Sequence, residues 1–179
     1  MSTGSGEVSY LAPEEGDLLN YFGGMFIFKV RSHQTGGAFA LLEAVIPGNS
    51  GPPKMHTHPT AETFRILSGS FEFQIIRDGK VVVLPAGPGT TVHVPGGKAH
   101  LFRNVGSAEG RLQVVLCPGD MEGYFLALGK PVKEPFSVVA LTGPPDVQQF
   151  IAVGKQYGVE FFDPPKAALG SANGPSKVA

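Results

Sequence analysis

From residue 25 to residue 117 the chain alternates between short apolar runs and turns. The runs are MFIFKVR (25–31), AFALLEAVI (38–46), PKMHTH (53–58), ETFRIL (62–67), SFEFQII (70–76), KVVVL (80–84), TTVHV (90–94), HLFRN (100–104) and RLQVVLC (111–117). They are rich in Val, Ile, Phe and Thr, and glycine, proline or polar residues separate most of them, which predicts a succession of short strands. In SFEFQII, Phe71, Phe73 and Ile75 fall on one face, with Glu72 and Gln74 on the other. RDGK follows and predicts a tight hairpin, Asp78 and Gly79 supplying the two positive-φ positions. Strands this closely spaced leave little room for helices and predict an all-β, antiparallel sandwich or barrel.

The period changes beyond Cys117. GDMEGYFLALG and PPDVQQFIAVGKQYG carry apolar residues at helical spacing. In the second, Val147, Phe150, Ile151, Val153 and Tyr157 share a face, Asp146 stands near the start and Gly158 just after the end. Both are expected as short helices packed on the barrel or on a neighbouring subunit. The chain thus divides into an N-terminal extension (1–24), a β-barrel (25–117), a C-terminal helical segment (118–165) and a flexible tail (166–179). NYFGGMFIFKV is very apolar for an edge strand, and exposed edges tend to be covered, so a homodimer sharing these strands is expected.

Composition narrows the function classes. The 179 residues are 42% hydrophobic and 16% charged, which fits one ordered domain and argues against disorder. A net charge of -1 with scattered Lys and Arg gives no electrostatic footprint for nucleic acid or an anionic membrane. No apolar run is long enough for a membrane span and the N-terminus has no signal-like pattern, so a soluble, cytoplasmic protein is expected. The single cysteine, Cys117, cannot form an internal disulfide and, at the end of LQVVLC, is expected as a buried structural thiol. There is no G-x-S-x-G elbow, which disfavours a nucleophilic hydrolase.

The candidate chemistry lies in the histidines. His56 and His58 are two apart on a strand, so both point to one face, about 7 Å apart along the backbone. Pro59 and Thr60 favour a bend, and Glu62 opens the next strand, which at a spacing of about 4.8 Å can bring it alongside the pair. Neutral imidazoles and a carboxylate suit a divalent first-row metal. His100 follows a proline-glycine turn in GTTVHVPGGKAHLFRN and can face the same centre if the strands close into a barrel.

The two blocks together resemble the cupin superfamily. Its first motif, G-x5-H-x-H-x3–4-E-x6-G, is matched from His56 through His58 and Glu62 to Gly69, with Gly51 one residue nearer than the pattern has it. Its second, G-x5-P-x-G-x2-H-x3-N, is matched at every spacing by Gly89, Pro95, Gly97, His100 and Asn104. The resemblance spans about residues 38–117, and the flanks look like those of small single-domain (monocupin) members such as the quercetin-dioxygenase-like ones. It implies a double-stranded β-helix, or jelly-roll barrel, with short C-terminal helices. It also implies one divalent transition metal (Fe, Ni, Mn, Co, Cu or Zn) held by His56, His58, Glu62 and His100.

Around that site, Phe64 and Ile66 share the parity of Glu62, and Phe102 that of His100. With Phe71 and Phe73 they are expected to line a pocket for a small-molecule ligand or substrate that is apolar and planar. Arg65 and Arg103 have the opposite parity and are expected at the surface. His93 is expected beside the site or at the surface, His33 in an exposed turn, and Asn104 as a hydrogen-bonder at a strand end.

The favoured activity is a dioxygenase-type oxidoreductase acting on an aromatic, flavonol-like or diketone-like substrate. In it Glu62 is both ligand and catalytic base. Two other readings are a metal-dependent isomerase or lyase of sugars or keto acids, and a non-catalytic module that binds metal and a small molecule.

Overall fold

The computed structural model describes residues 8–21, 23–132 and 146–163; the expected tail 166–179 lies outside the described residues. Each of the nine apolar runs contains a strand. These are β2 (Gly24–Val30), β3 (Ala40–Ile46), β4 (Met55–Thr57), β5 (Ala61–Ser68), β6 (Phe71–Arg77), β7 (Lys80–Ala86), β8 (Thr91–Val94), β9 (His100–Asn104) and β10 (Gly110–Cys117). Three more were not foreseen: β1 (Asp17–Tyr21) before them, and β11 (Lys130–Pro131) and β12 (Glu160–Phe162) after them. The RDGK hairpin forms as its sequence requires, Asp78 at φ 51° and Gly79 at φ 71°, with Arg77 opposite Lys80.

All strand pairs are antiparallel. They build a seven-stranded sheet in the order β11-β1-β2-β3-β10-β5-β8 and a five-stranded sheet in the order β12-β4-β9-β6-β7. Inward residues of the two sheets meet as a jelly roll. Phe64 of β5 and Phe73 of β6 cross edge to face at 5.1 Å, and Phe102 of β9 packs against both, at 5.5 and 5.8 Å. Each ring of this kind taken out of water contributes about 2–3 kcal/mol.

The apolar strand β2 is not an edge. It pairs with β1 on one side and β3 on the other. Its outer side chains Met25 and Ile27 are buried with Val45 under Leu18 and Val132. The segment expected as an extension therefore covers β2 from within the chain, and an exposed β2 edge is no reason for two copies to pair. Cys117 also departs from expectation: it is exposed. In β10, Leu112, Val114 and Leu116 face the core, and Cys117 shares the outward parity of Gln113.

Two short helices follow the barrel, α1 (Glu122–Leu128) and α2 (Val147–Gly154). Asp146 caps α2 by accepting the N–H groups of Gln148 and Gln149 at 3.0 and 3.2 Å, and Gly158 closes the following turn at φ 71°. Tyr124 and Leu128 of α1 and Phe150 of α2 join the barrel residues in one core. No helix among the described residues is long and apolar enough to cross a membrane.

Candidate metal centre

His56 is the central residue of β4 and His100 the first of β9, and the two strands pair at this one position. Directly opposed residues project on the same side of a sheet, so both rings enter the barrel, centroids 4.5 Å apart. His58 follows β4, where the chain bends at Pro59. Its backbone is fixed by the second histidine block: the Gly97 N–H donates to the His58 carbonyl at 2.7 Å.

Glu62 arrives from the other sheet, on β5 between Val94 of β8 and Leu116 of β10. The bend at Pro59 is thus a switch between sheets. Glu62 reaches the histidines across the barrel interior rather than from the neighbouring strand, as spacing alone had suggested. All four side chains are sealed from solvent, with residue exposures of 8% for His56, 3% for His58, 5% for Glu62 and 1% for His100.

The hydrogen bonds fix the tautomers. His56 Nδ1 lies 3.0 Å from the Lys54 carbonyl and His100 Nδ1 2.9 Å from the Lys98 carbonyl. A carbonyl only accepts, so both Nδ1 atoms donate and each Nε2 is turned to the centre. His100 Nε2 stands 3.0 Å from Glu62 Oε2, and His58 Nε2 3.3 Å from the same oxygen. With an acceptor at each nitrogen, His100 is an imidazolium paired to the Glu62 carboxylate when no metal is bound.

The proton affinities agree. Burial opposes charge on Glu62, but His100, which donates to it, and His58 close by hold its carboxyl well below the usual range. Burial likewise lowers His100, and the hydrogen bond and charge of Glu62 outweigh it and raise the pKa. His56 has no carboxylate partner; burial, then the His100 charge, pull it down to about 4. His56 is therefore neutral and ready to ligate at physiological pH.

His58 provides the test of metal fit. Both of its ring nitrogens are buried without a hydrogen-bond partner. Leaving such a group unpaired costs about 1–3 kcal/mol, and a metal bond at Nε2 removes that cost. One ligand nitrogen from each of His56, His58 and His100 lies within 4.8 Å of the others, so a single ion can reach all three. The three buried histidines can hold a metal.

The sequence profile of the cupin domain matches residues 41–117. Residues 41–117 therefore form a cupin domain. No protein of curated function matches it. Among solved structures, the chain is similar to the polyketide cyclase RemF from Streptomyces resistomycificus, at 15% identity and a TM-score of 0.53 over 84% of this chain and 99% of that one. It is also similar to ectoine synthase from P. lautus, at 18% identity and a TM-score of 0.53 over 78% and 99% of the two chains. With recombinant oxalate oxidase it shares 20% identity and a TM-score of 0.46 over 55% of its own length, and spans 54% of that chain. At these identities the likeness to the first two speaks for the fold alone.

The centre opens into a cavity of about 310 Å³. His56 and Glu62 form its polar floor, and Phe64 and Phe102 line it as their parity suggested. Ile66, Phe71 and Phe73 do not reach it: they are packed in the core, 1%, 1% and 0% exposed. Parity gives the face of a strand but not the depth along the barrel. Residues that sequence reasoning missed complete the wall: Tyr21, Phe26, Tyr124, Phe125, Phe150 and Phe161.

Gly51, one residue nearer His56 than the motif glycine, packs against β9. A Cβ there would run into the Phe102 carbonyl, so only glycine lets the 49–53 loop lie on β9 beside the cavity. His93 is exposed, its Nδ1 2.9 Å from Thr63 Oγ1 on the outside of the barrel, and His33 is exposed too. Arg65 is spent on the Gly89 carbonyl and Thr91 Oγ1 at the surface, at 3.2 Å each. Asn104 is buried and clamps the 46–49 and 104–108 turns, donating to the carbonyls of Ile46, Pro47 and Ala108 and accepting the Gly106 N–H.

Proposed function

We propose that this cupin is a metal-dependent oxidoreductase of the dioxygenase type, acting on a small aromatic or diketone-like substrate. The observation that carries this reading is a cluster of three histidines and Glu62, of which His56 and Glu62 face a cavity walled mainly by aromatic and aliphatic side chains. His56, His58 and His100 would hold a divalent transition metal, with Glu62 as fourth ligand. Bound there, the metal would supply Lewis-acid activation of a substrate oxygen and a binding position for O₂.

The chain's own residues do the rest. The Lys54 and Lys98 carbonyls keep the His56 and His100 rings aimed inward. With His100 in the neutral form that ligation requires, Glu62 would be a carboxylate relieved of its ion pair. Its Oε2 is then placed to take a proton from a substrate hydroxyl or enol. Phe64 and Phe102 give the cavity beside the centre an apolar wall.

A sugar or keto-acid isomerase would need cationic groups turned inward. Among the described lining residues the only one is Arg103, which is exposed and donates to the Asn49 carbonyl at 2.8 Å. The test is to load the protein anaerobically with Fe(II), Ni(II), Mn(II) or Co(II) and follow O₂ uptake with a panel of flavonols and diketones. Uptake with at least one metal and substrate pair is expected; none with any pair would contradict the reading and leave a binding module.

A further inference from the structure

The cavity meets solvent beside the end of β9. Asn49, Gly51 and Arg103 all line it and are exposed, which places its mouth between the 49–53 loop and Arg103. Two residues of fixed opposite charge line the cavity among the described residues. Glu62 is buried at the histidine end, and Arg103 stands at the mouth.

Arg103 is turned to this mouth rather than to its nearest acid. Glu72 stands directly opposite it on β6, and opposed residues project on the same side of a sheet. Yet Arg103 forms no ion pair among the described residues. Its Nη2 donates instead to the Asn49 carbonyl at 2.8 Å. That partner is neutral and leaves the positive charge uncompensated, and a guanidinium fork has more N–H groups than one bond uses. A carboxylate matches such a fork, accepting two parallel charge-assisted bonds.

The cavity also sets how such a ligand lies. A charged group among Phe64, Phe102 and the other apolar walls would lose its hydration without repayment, so the charged end stays at the mouth and the rings point inward. His100 and Arg103 are the first and fourth residues of β9, about 10 Å apart at about 3.3 Å per residue. A two-ring aromatic with a substituent at each end covers that span, and a cavity of about 310 Å³ restricts the ligand to about that size. We propose that Arg103 is a carboxylate-binding residue at the cavity mouth, and that the ligand is a planar aromatic acid with its carboxylate on Arg103 and its far end at His56 and Glu62. The proposal deepens the oxygenase reading and rests on it only for which end reacts.

The experiment compares 2-naphthoate with its neutral counterpart 2-naphthamide, by equilibrium dialysis against the metal-free and the metal-loaded protein. The wild type is expected to prefer 2-naphthoate by about tenfold in Kd at low salt. Raising the salt from about 0.05 to about 0.5 M should weaken 2-naphthoate and leave 2-naphthamide unchanged. Arg103→Gln should reduce the preference to about twofold or less, with 2-naphthamide binding and metal content at the wild-type level. Arg103→Lys keeps the charge without the fork and should retain about threefold. Arg65→Gln is the control: Arg65 is an exposed arginine that does not line the cavity, and the variant should keep the full preference.

Equal binding of the two probes by the wild type, no binding of either, or a preference intact in Arg103→Gln would overturn the proposal. So would an equal loss of both probes in Arg103→Gln, the result expected if Arg103 only pins the 49–53 loop. Should Arg103→Gln not fold, Arg103→Lys and the salt dependence of the wild type still decide. Because the preference is read without turnover, it can hold while O₂ uptake fails, or fail while uptake holds. The carboxylate site and the oxygenase reading are therefore separable.

Discussion

His56 and His100 face each other across the single register position that joins β4 to β9, and each is steered by the carbonyl two residues before it. The same local device, used twice on neighbouring strands, turns two Nε2 atoms to one point. Glu62 and His58 complete the cluster on unequal terms. His100 pairs with Glu62, whereas both nitrogens of His58 lack hydrogen-bond partners.

That inequality makes the two histidines separable by stability. In metal-free protein, His100→Ala strips Glu62 of its main partner and leaves a buried charge, at a cost of about 3–5 kcal/mol. His58→Ala removes only the looser 3.3 Å contact with Glu62 and a buried ring, and should cost less, about 2 kcal/mol. Urea unfolding of the chelated proteins near pH 6.5 measures the difference; equal losses would contradict the pairing.

The same groups set a pH optimum for the metal-free fold. His56, depressed to about 4, is neutral in the folded chain while the unfolded chain takes up its proton near 6.5. Stability therefore falls as pH drops from about 6.5 towards 4, by up to about 3 kcal/mol. Glu62, also depressed, adds a loss on the acid side below its unfolded pKa. His100 is raised, so its contribution is complete below 6.5 and disappears as pH rises through its folded value. Denaturant midpoints across pH 4–9 should thus peak near 6.5, and His56→Gln should flatten the acid limb.

Asn104 is a structural clamp, not a ligand. Asn104→Ala leaves the buried Ile46 carbonyl and its neighbours without a donor and should lower stability by about 2–4 kcal/mol. Metal content per folded chain should stay at the wild-type level. Loss of metal in a folded variant would show that the clamp also positions β9.

Asp146→Ala tests the helical wall of the cavity. Removing the cap of α2 should cost about 1 kcal/mol, read in the urea midpoint, with metal binding unaffected.

Much of this arrangement was legible in the sequence. The nine central strands follow from their alternation, the 77–80 hairpin from Asp-Gly, and the α2 cap from Asp146. The histidines are brought together as their motif spacing implied. Three short strands escaped notice for a physical reason: DLLNY, KP and EFF have too few residues for a period, and pairing with longer neighbours defines them. Cys117 was placed inside by the company of its apolar run, although its parity with Gln113 already turned it outward. The cavity wall was the least accessible part, because Tyr21, Tyr124, Phe125, Phe150 and Phe161 come from segments distant in sequence that meet only through tertiary packing.

The central claim is that His56, His58 and His100, with Glu62, hold a transition metal. Elemental analysis of protein purified without added metal tests it most directly, with the wild type beside His58→Ala. The account predicts about one transition-metal ion per wild-type chain and a near-complete loss in the folded variant. A metal-free wild type that takes up no ion on titration, or full occupancy in His58→Ala, would contradict it.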